Sequence, residues 1–235
     1  SAACLTFFIL IVKKCYNKHE EIKEAAEMIW DYIAANYEEN QPILAAQLRK
    51  ASGVPSNNLR QNLKFLTDKG KLKRFDNGVY YIPGRSRLKS GAALSPSRVA
   101  EAKYIMQDGC VCGYYAGLKF ANMLGITTQV PNAVEIVSNN ASAKLRTVEM
   151  RGIRILLRKT RAVITSENYL ALQFLDMLTT AEAYSELSED RLYSLLKEYI
   201  KKTGITSGMI SNYIGAFPDR VARILIEKRL FNVFA

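Results

Sequence analysis

Between residues 19 and 36 the apolar positions keep a helical beat. Ile22, Ala26, Ile29, Trp30 and Ile33 recur at i, i+4, i+7, i+8 and i+11, while Glu20, Glu21, Glu24 and Asp31 take the other side. This predicts an amphipathic helix over His19–Asn36, with its early acids at the positive end of the helix dipole. Pro42 then opens a second, shorter helix, since proline in the first turn forfeits no hydrogen bond. Ile43, Leu44 and Leu48 supply its buried side, Gly53 ends it, and Val54 pins it to the next helix. A third helix starts near Pro55–Ser56 and stops at Gly70, a natural residue to follow a helix C-terminus. At about 100° per residue, Leu59, Leu63 and Leu66 form one narrow apolar stripe. Asn57, Gln61 and Lys64 fall opposite, with Arg60 and Asn58 on the flanks.

After Gly70 the period shortens to two. Lys71-Leu72-Lys73-Arg74-Phe75 and Val79-Tyr80-Tyr81-Ile82 flank Asp76-Asn77-Gly78, a loop whose Asn and Gly tolerate positive φ. Helix, turn, helix and basic hairpin is the order of a winged helix-turn-helix, expected over residues 19–84. A stretch rich in Gly, Ser and Pro, residues 85–97, reads as a linker. Beyond it, residues 98–235 mix both periods. Helices are expected at Arg98–Met106 and, closed by glycine, at Gly113–Gly125. Thr127–Pro131 leads into strand-like Ala133–Ser138, and Asn139-Asn140 marks a turn. Further β runs occupy Lys144–Met150 and Ile153–Leu157, joined through Arg151-Gly152. Ser166 caps a helix to about Leu178, and others cover Glu189–Lys202, Gly208–Ile214 and Pro218–Lys228. The fold class is α+β: a winged helix-turn-helix followed by a mixed α/β domain with a small sheet.

Charge sharpens this picture. The 235-residue chain carries a net +11, with 49% hydrophobic and 23% charged residues, and its pI is about 9.5. From Arg49 to Lys89 eleven Lys and Arg face only Asp68 and Asp76, a net +9. A cationic module of this kind suits a polyanion. Amide and cationic side chains on an exposed helix face can read base edges in a major groove, and a basic hairpin beside it can lie on phosphates. The candidate DNA-binding residues are therefore Asn57, Asn58, Arg60, Gln61, Lys64, Lys71, Lys73, Arg74, Arg85 and Arg87. For the helix alone, the plainer alternative is a solvated polar face. A second basic strip, Lys144, Arg146, Arg151, Arg154, Arg158, Lys159 and Arg161 against Glu149, gives +6. It reads evenly as a nucleic-acid or partner surface, or as a sheet edge guarded by charge.

The four cysteines, Cys4, Cys15, Cys110 and Cys112, form no CxxC pair, and His19 is the single histidine. No zinc site follows from that spacing, and reduced thiols in a cytoplasmic protein are expected. Residues 1–18 form an extension whose apolar run Cys4–Val12 is short of the ~20 residues a bilayer requires. Docking as a strand or extension, with a dimer as one option, is favoured over membrane anchoring.

The run GYYAGLKFANMLGITTQVPNAVEIVSNN, followed by a basic strand pair and the helix SENYLALQFLDML, resembles the AbiEi family of bacterial abortive-infection antitoxins. Tyr114, Ala116, Leu124, Gly125, Thr127, Thr128, Pro131 and Asn139 carry the resemblance, which spans roughly residues 19–230; the extension to Lys18 has no counterpart. It implies an antitoxin of a type IV toxin–antitoxin system. The winged helix would bind an operator, and the second domain would neutralise a nucleotidyltransferase-like toxin. Two-fold operators with inverted repeats imply two copies of the module, acting cooperatively or as a homodimer.

Catalytic signatures do not surface. There is no GxGxxG, Walker A, HExxH or GxSxG, His19 lacks triad partners, and Asp108, Glu135 and Glu149 lie on separate elements. Tyr114 and Tyr115 read as packing aromatics, and Thr127-Thr128-Gln129 as a turn before a strand. The expectation is a binder with no enzymatic role, no cofactor, no metal and no membrane partner. The rival is a plain winged-helix transcription regulator whose second domain senses a ligand or dimerises.

Overall fold

The computed structural model describes residues 20–84 and 94–234. The Cys4–Val12 segment, His19 and the linker residues Arg85 and Arg87 fall outside them. Chain contacts divide the protein into two compact units, with the division between Val99 and Ala100. Both mix helices with small sheets.

The first unit opens with helix α1, residues 20–36. Strand β1 (Ile43–Leu44), helix α2 (Ala45–Ser52), helix α3 (Ser56–Asp68) and strands β2 (Lys73–Asp76) and β3 (Val79–Tyr81) follow. The strands form one antiparallel sheet in the order β1-β3-β2. Ala26, Ile29, Ile33, Leu48, Leu59, Leu63 and Leu66 share one buried core with Leu72 and Tyr80, so the predicted stripes of α1 and α3 meet there. The helix expected from Pro42 begins instead at Ala45. Ile43 and Leu44 are strand, paired with Tyr80 and Val79, because the hairpin leaves an edge that two buried aliphatic residues can close. A backbone bond from Ala45 N–H to the Gly78 carbonyl, 2.9 Å, ties the start of α2 to the hairpin tip.

In the second unit, helix α4 (Pro96–Tyr104, spanning the division) is followed by a short hairpin, β4 (Met106–Gln107) with β5 (Cys110–Val111). The sequence reading missed this hairpin. Its turn is Asp108-Gly109. Strand β6 (Gly113–Tyr115), helix α5 (Gly117–Met123) and strands β7 (Val134–Ser138), β8 (Leu145–Met150) and β9 (Ile153–Lys159) come next. The sheet order is β6-β7-β9-β8, with β7 and β9 parallel and the outer pairs antiparallel. Gly113–Tyr115, expected as helix, is strand because Tyr114 and Tyr115 fit a pleated surface beside β7. Helices α6 (Tyr169–Leu178), α7 (Ala181–Tyr184), α8 (Glu189–Thr203), α9 (Ser207–Tyr213) and α10 (Asp219–Glu227) complete the unit.

Helix α6 is buried on every side from Ala171 to Leu178, as a helix inside a core must be. It covers the sheet face carrying Tyr114 and Val137 and joins them in one cluster with α8 and α10. Ser166 does not cap α6. Its hydroxyl accepts from the Val111 N–H at 3.3 Å, and Asn168 stands at the cap position. The Asn168 amide fixes the preceding loop, accepting from Thr165 N–H and donating to the Val163 carbonyl and the Tyr213 hydroxyl.

Candidate nucleic-acid interface

The α3 stripe leaves its other side to solvent: Asn57, Asn58, Arg60, Gln61 and Lys64 are all exposed. No side-chain cap closes the start of α3 or of α2, and in α2 the first amide is already taken up by the Gly78 carbonyl. Neither first turn contains an acid.

Beside this face the chain forms a cleft of about 310 Å³ between α2, the amino-terminal half of α3 and the hairpin tip. On α3 the lining positions are Ser56, Leu59, Arg60 and Leu63, the i, i+3, i+4, i+7 spacing of one helix stripe. Helix α2 contributes Arg49, one turn beyond Ala45, and the hairpin contributes Arg74 and Asn77 over Tyr80. The lining thus combines apolar Leu59 and Leu63 with three arginines from three elements, and among the described residues no carboxylate lines it. Arg74 is held in place, donating from Nε to the Asp76 carbonyl at 3.3 Å and from Nη2 to Asn77 Oδ1 at 3.1 Å. Arg49 was counted in the sequence charge but not singled out. No sequence signal tied it to the hairpin, because the Ala45 N–H bond to Gly78 that brings the start of α2 to the hairpin tip exists only in the fold.

Not every predicted contact residue stays on this surface. Lys71 turns away: its ammonium donates to Glu27 of α1 at 2.6 Å and lies 5.0 Å from the Trp30 ring centroid. It precedes β2 in the turn after α3, where the buried Leu72 anchors the chain, so it is no part of the hairpin's outer face. Lys73 is half-buried at the start of β2 opposite Tyr81.

The second basic strip does not form one surface. Strand pairing sets Lys144 beside Lys159 and Arg146 opposite Leu157 on one face. Arg154, opposite Glu149, and Arg158, opposite Leu145, lie on the other, since neighbours along a strand point to opposite faces. Arg151 sits in the β8–β9 turn with positive φ. Arg161 stacks over Phe217, 5.4 Å to its centroid, and donates to the Ala216 carbonyl.

Arg158 is the clearest departure. Its side chain is 23% exposed and lies between two carboxylates, donating to Glu135 at 2.9 Å and to the buried Asp176 of α6. Burial disfavours the charged guanidinium, yet the Asp176 and Glu135 carboxylates more than offset it and raise its pKa. Burial, with Asp176 as a second cause, pushes the Tyr114 phenol well above its ordinary value. The three charges knit β7, β9 and α6 together, so Arg158 directs its charge to two carboxylates of the fold.

Of the residues that carried the family resemblance, Tyr114, Ala116, Leu124, Thr127, Thr128 and Asn139 are packing or loop-fixing groups. Tyr114 is core. Thr127 and Thr128 grip Glu186, through both hydroxyls and the Thr128 N–H at 2.8–3.0 Å. The bond from the Thr128 N–H, then those from the two hydroxyls, hold this carboxyl down at a pKa of about 2. Asn139 pairs with the backbone of Ile164 in both directions. Among the described residues no group of three or more His, Cys, Asp or Glu is placed to hold a metal, and no helix is long and apolar enough to cross a membrane.

The chain belongs to DUF6088, a family of unknown function, matched over residues 51–203. That span runs from the last turn of α2 to the end of α8, so it takes in Arg60 and Arg74 and leaves out α1 and Arg49. A search of curated proteins finds no match.

Proposed function

We propose that the first unit is a winged helix-turn-helix that binds duplex DNA, with α3 in the major groove and the β2–β3 hairpin as the wing. The observation that carries this reading is the uncovered polar face of α3 set beside unpaired arginines, with no carboxylate between them. Asn57, Asn58 and Gln61 supply donor–acceptor pairs for base edges. Arg60, Lys64 and Arg74 supply charge for the backbone. If the unit neutralises about 4–6 phosphates, log K falls against log salt with a slope near −4 to −5. Fluorescence anisotropy on a labelled duplex at several KCl concentrations tests this; a flat salt response would sink it.

On this reading the chain is a cytoplasmic, non-enzymatic antitoxin and autorepressor, neutralising a nucleotidyltransferase-like toxin in a type IV system. Support comes from the likeness of residues 113–140 and 166–178 to the AbiEi family and from the order of the two units. Co-expression with a nucleotidyltransferase-like toxin from the same locus tests it: rescue of growth by the full chain is the expected result. The rival, a plain regulator whose second unit dimerises, draws on β8, a six-residue strand at the sheet edge that pairs with β9 alone among the described residues. Absence of rescue together with a stable dimer in sedimentation would favour the rival.

A further inference from the structure

We infer that Arg49, Arg60 and Arg74 form a single phosphate socket: one backbone phosphate of the duplex seats in the cleft between α2, α3 and the hairpin tip. The inference rests on the reading of the first unit as a DNA binder, and it adds what that reading does not contain, which is that three arginines serve one phosphate.

The case begins with convergence. Arg49, Arg60 and Arg74 line a cleft of about 310 Å³, and no acid lines it among the described residues. The side chains of Arg49 and Arg60 have no hydrogen-bonding, ionic or ring partner among the described residues. Unpartnered like charges around one concavity repel each other, and an anion between them removes that repulsion. Arginine suits the task because its planar fork matches phosphate geometry bidentately, where lysine acts as a point charge.

Preorganisation is the second strand. Asp76 and Asn77 orient the Arg74 fork before any ligand arrives, which lowers the ordering cost on binding. Ser56 and Asn77 add neutral hydrogen-bonding groups to the same lining. The volume is at the low end for a ligand site; it accommodates a phosphoryl group with its immediate substituent and not a stack of bases. The floor of Leu59, Leu63 and Tyr80 is apolar, so the charge–charge attraction above it is less screened than on an open surface.

The socket makes a prediction that separate phosphate contacts do not. Each phosphate neutralised contributes about 0.9 to the slope of log K against log salt. Removing all three arginines from one phosphate should therefore lower the slope by about 0.9 in total, whereas three separate phosphates would cost about 2.7. The experiment uses the full chain, a labelled 20-base-pair duplex and KCl from 50 to 300 mM. Arg49→Ala, Arg60→Ala, Arg74→Ala and the triple variant are compared with Lys64→Ala, which lies outside the cleft. Expected are a triple-variant slope about 0.9 shallower, single variants weaker by roughly 5- to 30-fold and strongly non-additive, and an independent loss for Lys64→Ala. A triple loss near 2.7, or additive single effects, overturns the socket. Unchanged binding by the triple variant while the wild type binds overturns the cleft alone. Failure of the wild type to bind duplex overturns the DNA reading as well.

A second arm separates the two sources of phosphate. Inorganic phosphate is titrated into the DNA-free chain while the backbone amides of Ala46 and Asn77 are followed by NMR. Weak millimolar shifts, absent in the triple variant and reversed by duplex, fit a backbone phosphate. Tight binding that duplex does not displace assigns the cleft to a free phosphorylated ligand and overturns the duplex assignment. Unfolding curves accompany each variant, and Arg60→Lys, which keeps the charge without the fork, should retain the slope while losing affinity.

Discussion

Arg60 and Arg158 are the same residue type in two basic stretches, and they have opposite fates. Arg60 stands on a helix flank, exposed, with other arginines beside it and no acid in the cleft they share. Arg158 sits on a strand whose other face is core, under a helix that supplies a carboxylate, with a second carboxylate on the neighbouring strand. At Arg60 the positive charge is left available; at Arg158 it is taken up by the fold. A count of Lys and Arg along a chain therefore measures electrostatic supply and says nothing of availability. What decides availability is whether the local period puts the cation on a face that another element must cover.

The comparison breaks most readily at Arg158. Replacing it with Met leaves Asp176, which is 4% exposed, as a buried carboxylate without its cation. Breaking such a pair from one side costs about 3 kcal/mol, read as a fall in Tm by circular dichroism. Replacing Asp176 with Leu and Glu135 with Gln in the same chain should recover most of that loss, because apolar or neutral packing can stand in for a complete buried ion network. A single Arg158→Met variant as stable as wild type would mean that the three charges are incidental to the fold.

Next in size is Gly117, which begins α5 with φ +54° directly against the Glu135 carboxylate. A side chain there meets both left-handed backbone strain and Glu135 Oε2, and Gly117→Ala should cost about 2–3 kcal/mol. Gly125 is the control. Its φ is +74° but no atom lies within 4 Å of an added Cβ, so Gly125→Ala carries the strain alone, about 1 kcal/mol. Equal losses would show that Glu135 yields freely and is less firmly held by Arg158 than the geometry implies.

How much of this was readable in advance depends on the period of each element. Helical stripes were legible: Leu59, Leu63 and Leu66 point inward, and Asn57, Gln61 and Lys64 point outward. Several strand boundaries were not. Ile43-Leu44 carries too few residues to show alternation, and its conformation is set by a hairpin some 35 residues later. Gly113-Tyr-Tyr reads as helix from its glycines until β7 offers a partner. In the second basic strip the alternation was present, since Ile153, Ile155 and Leu157 interleave with Arg154 and Arg158. Only the structure reveals that α6 covers the arginine side. Of the residues around the cleft, Arg60 and Arg74 were legible as contact residues and Arg49 was not, because helix, turn and hairpin must be folded before three positions so far apart line one concavity.

A smaller effect concerns Glu186, where the second unit again takes up a charge internally. Its carboxylate accepts from Thr127 and Thr128, and its pKa is lowered from 4.5 to about 2. Since the folded value lies below the unfolded one, this group's contribution to stability is complete above about pH 4.5. It drains away as pH falls from there toward 2. Glu186→Gln should lower Tm at neutral pH and flatten that segment of the profile, so that the two proteins converge as pH falls toward 2. The readout is Tm against pH for both proteins. Parallel profiles between pH 5 and 2 would show that the threonine clasp is not what depresses the carboxyl.

The smallest effect tests whether any of the second strip behaves like the first unit. Arg154 is 59% exposed and faces Glu149 across the strands at 3.7 Å. Ion pairs of this kind contribute about 0–1 kcal/mol, so Arg154→Ala should leave Tm within the scatter of repeated melts. Its duplex affinity should also match wild type, in contrast to Arg60→Ala, which should leave Tm alone and weaken binding severalfold. A clear loss of affinity in Arg154→Ala with an unchanged Tm would instead restore part of the β8–β9 hairpin as a nucleic-acid surface. The contrast with Arg60 would then narrow to Arg158 and its two carboxylates, since charge on the uncovered positions of either unit would be doing the same work.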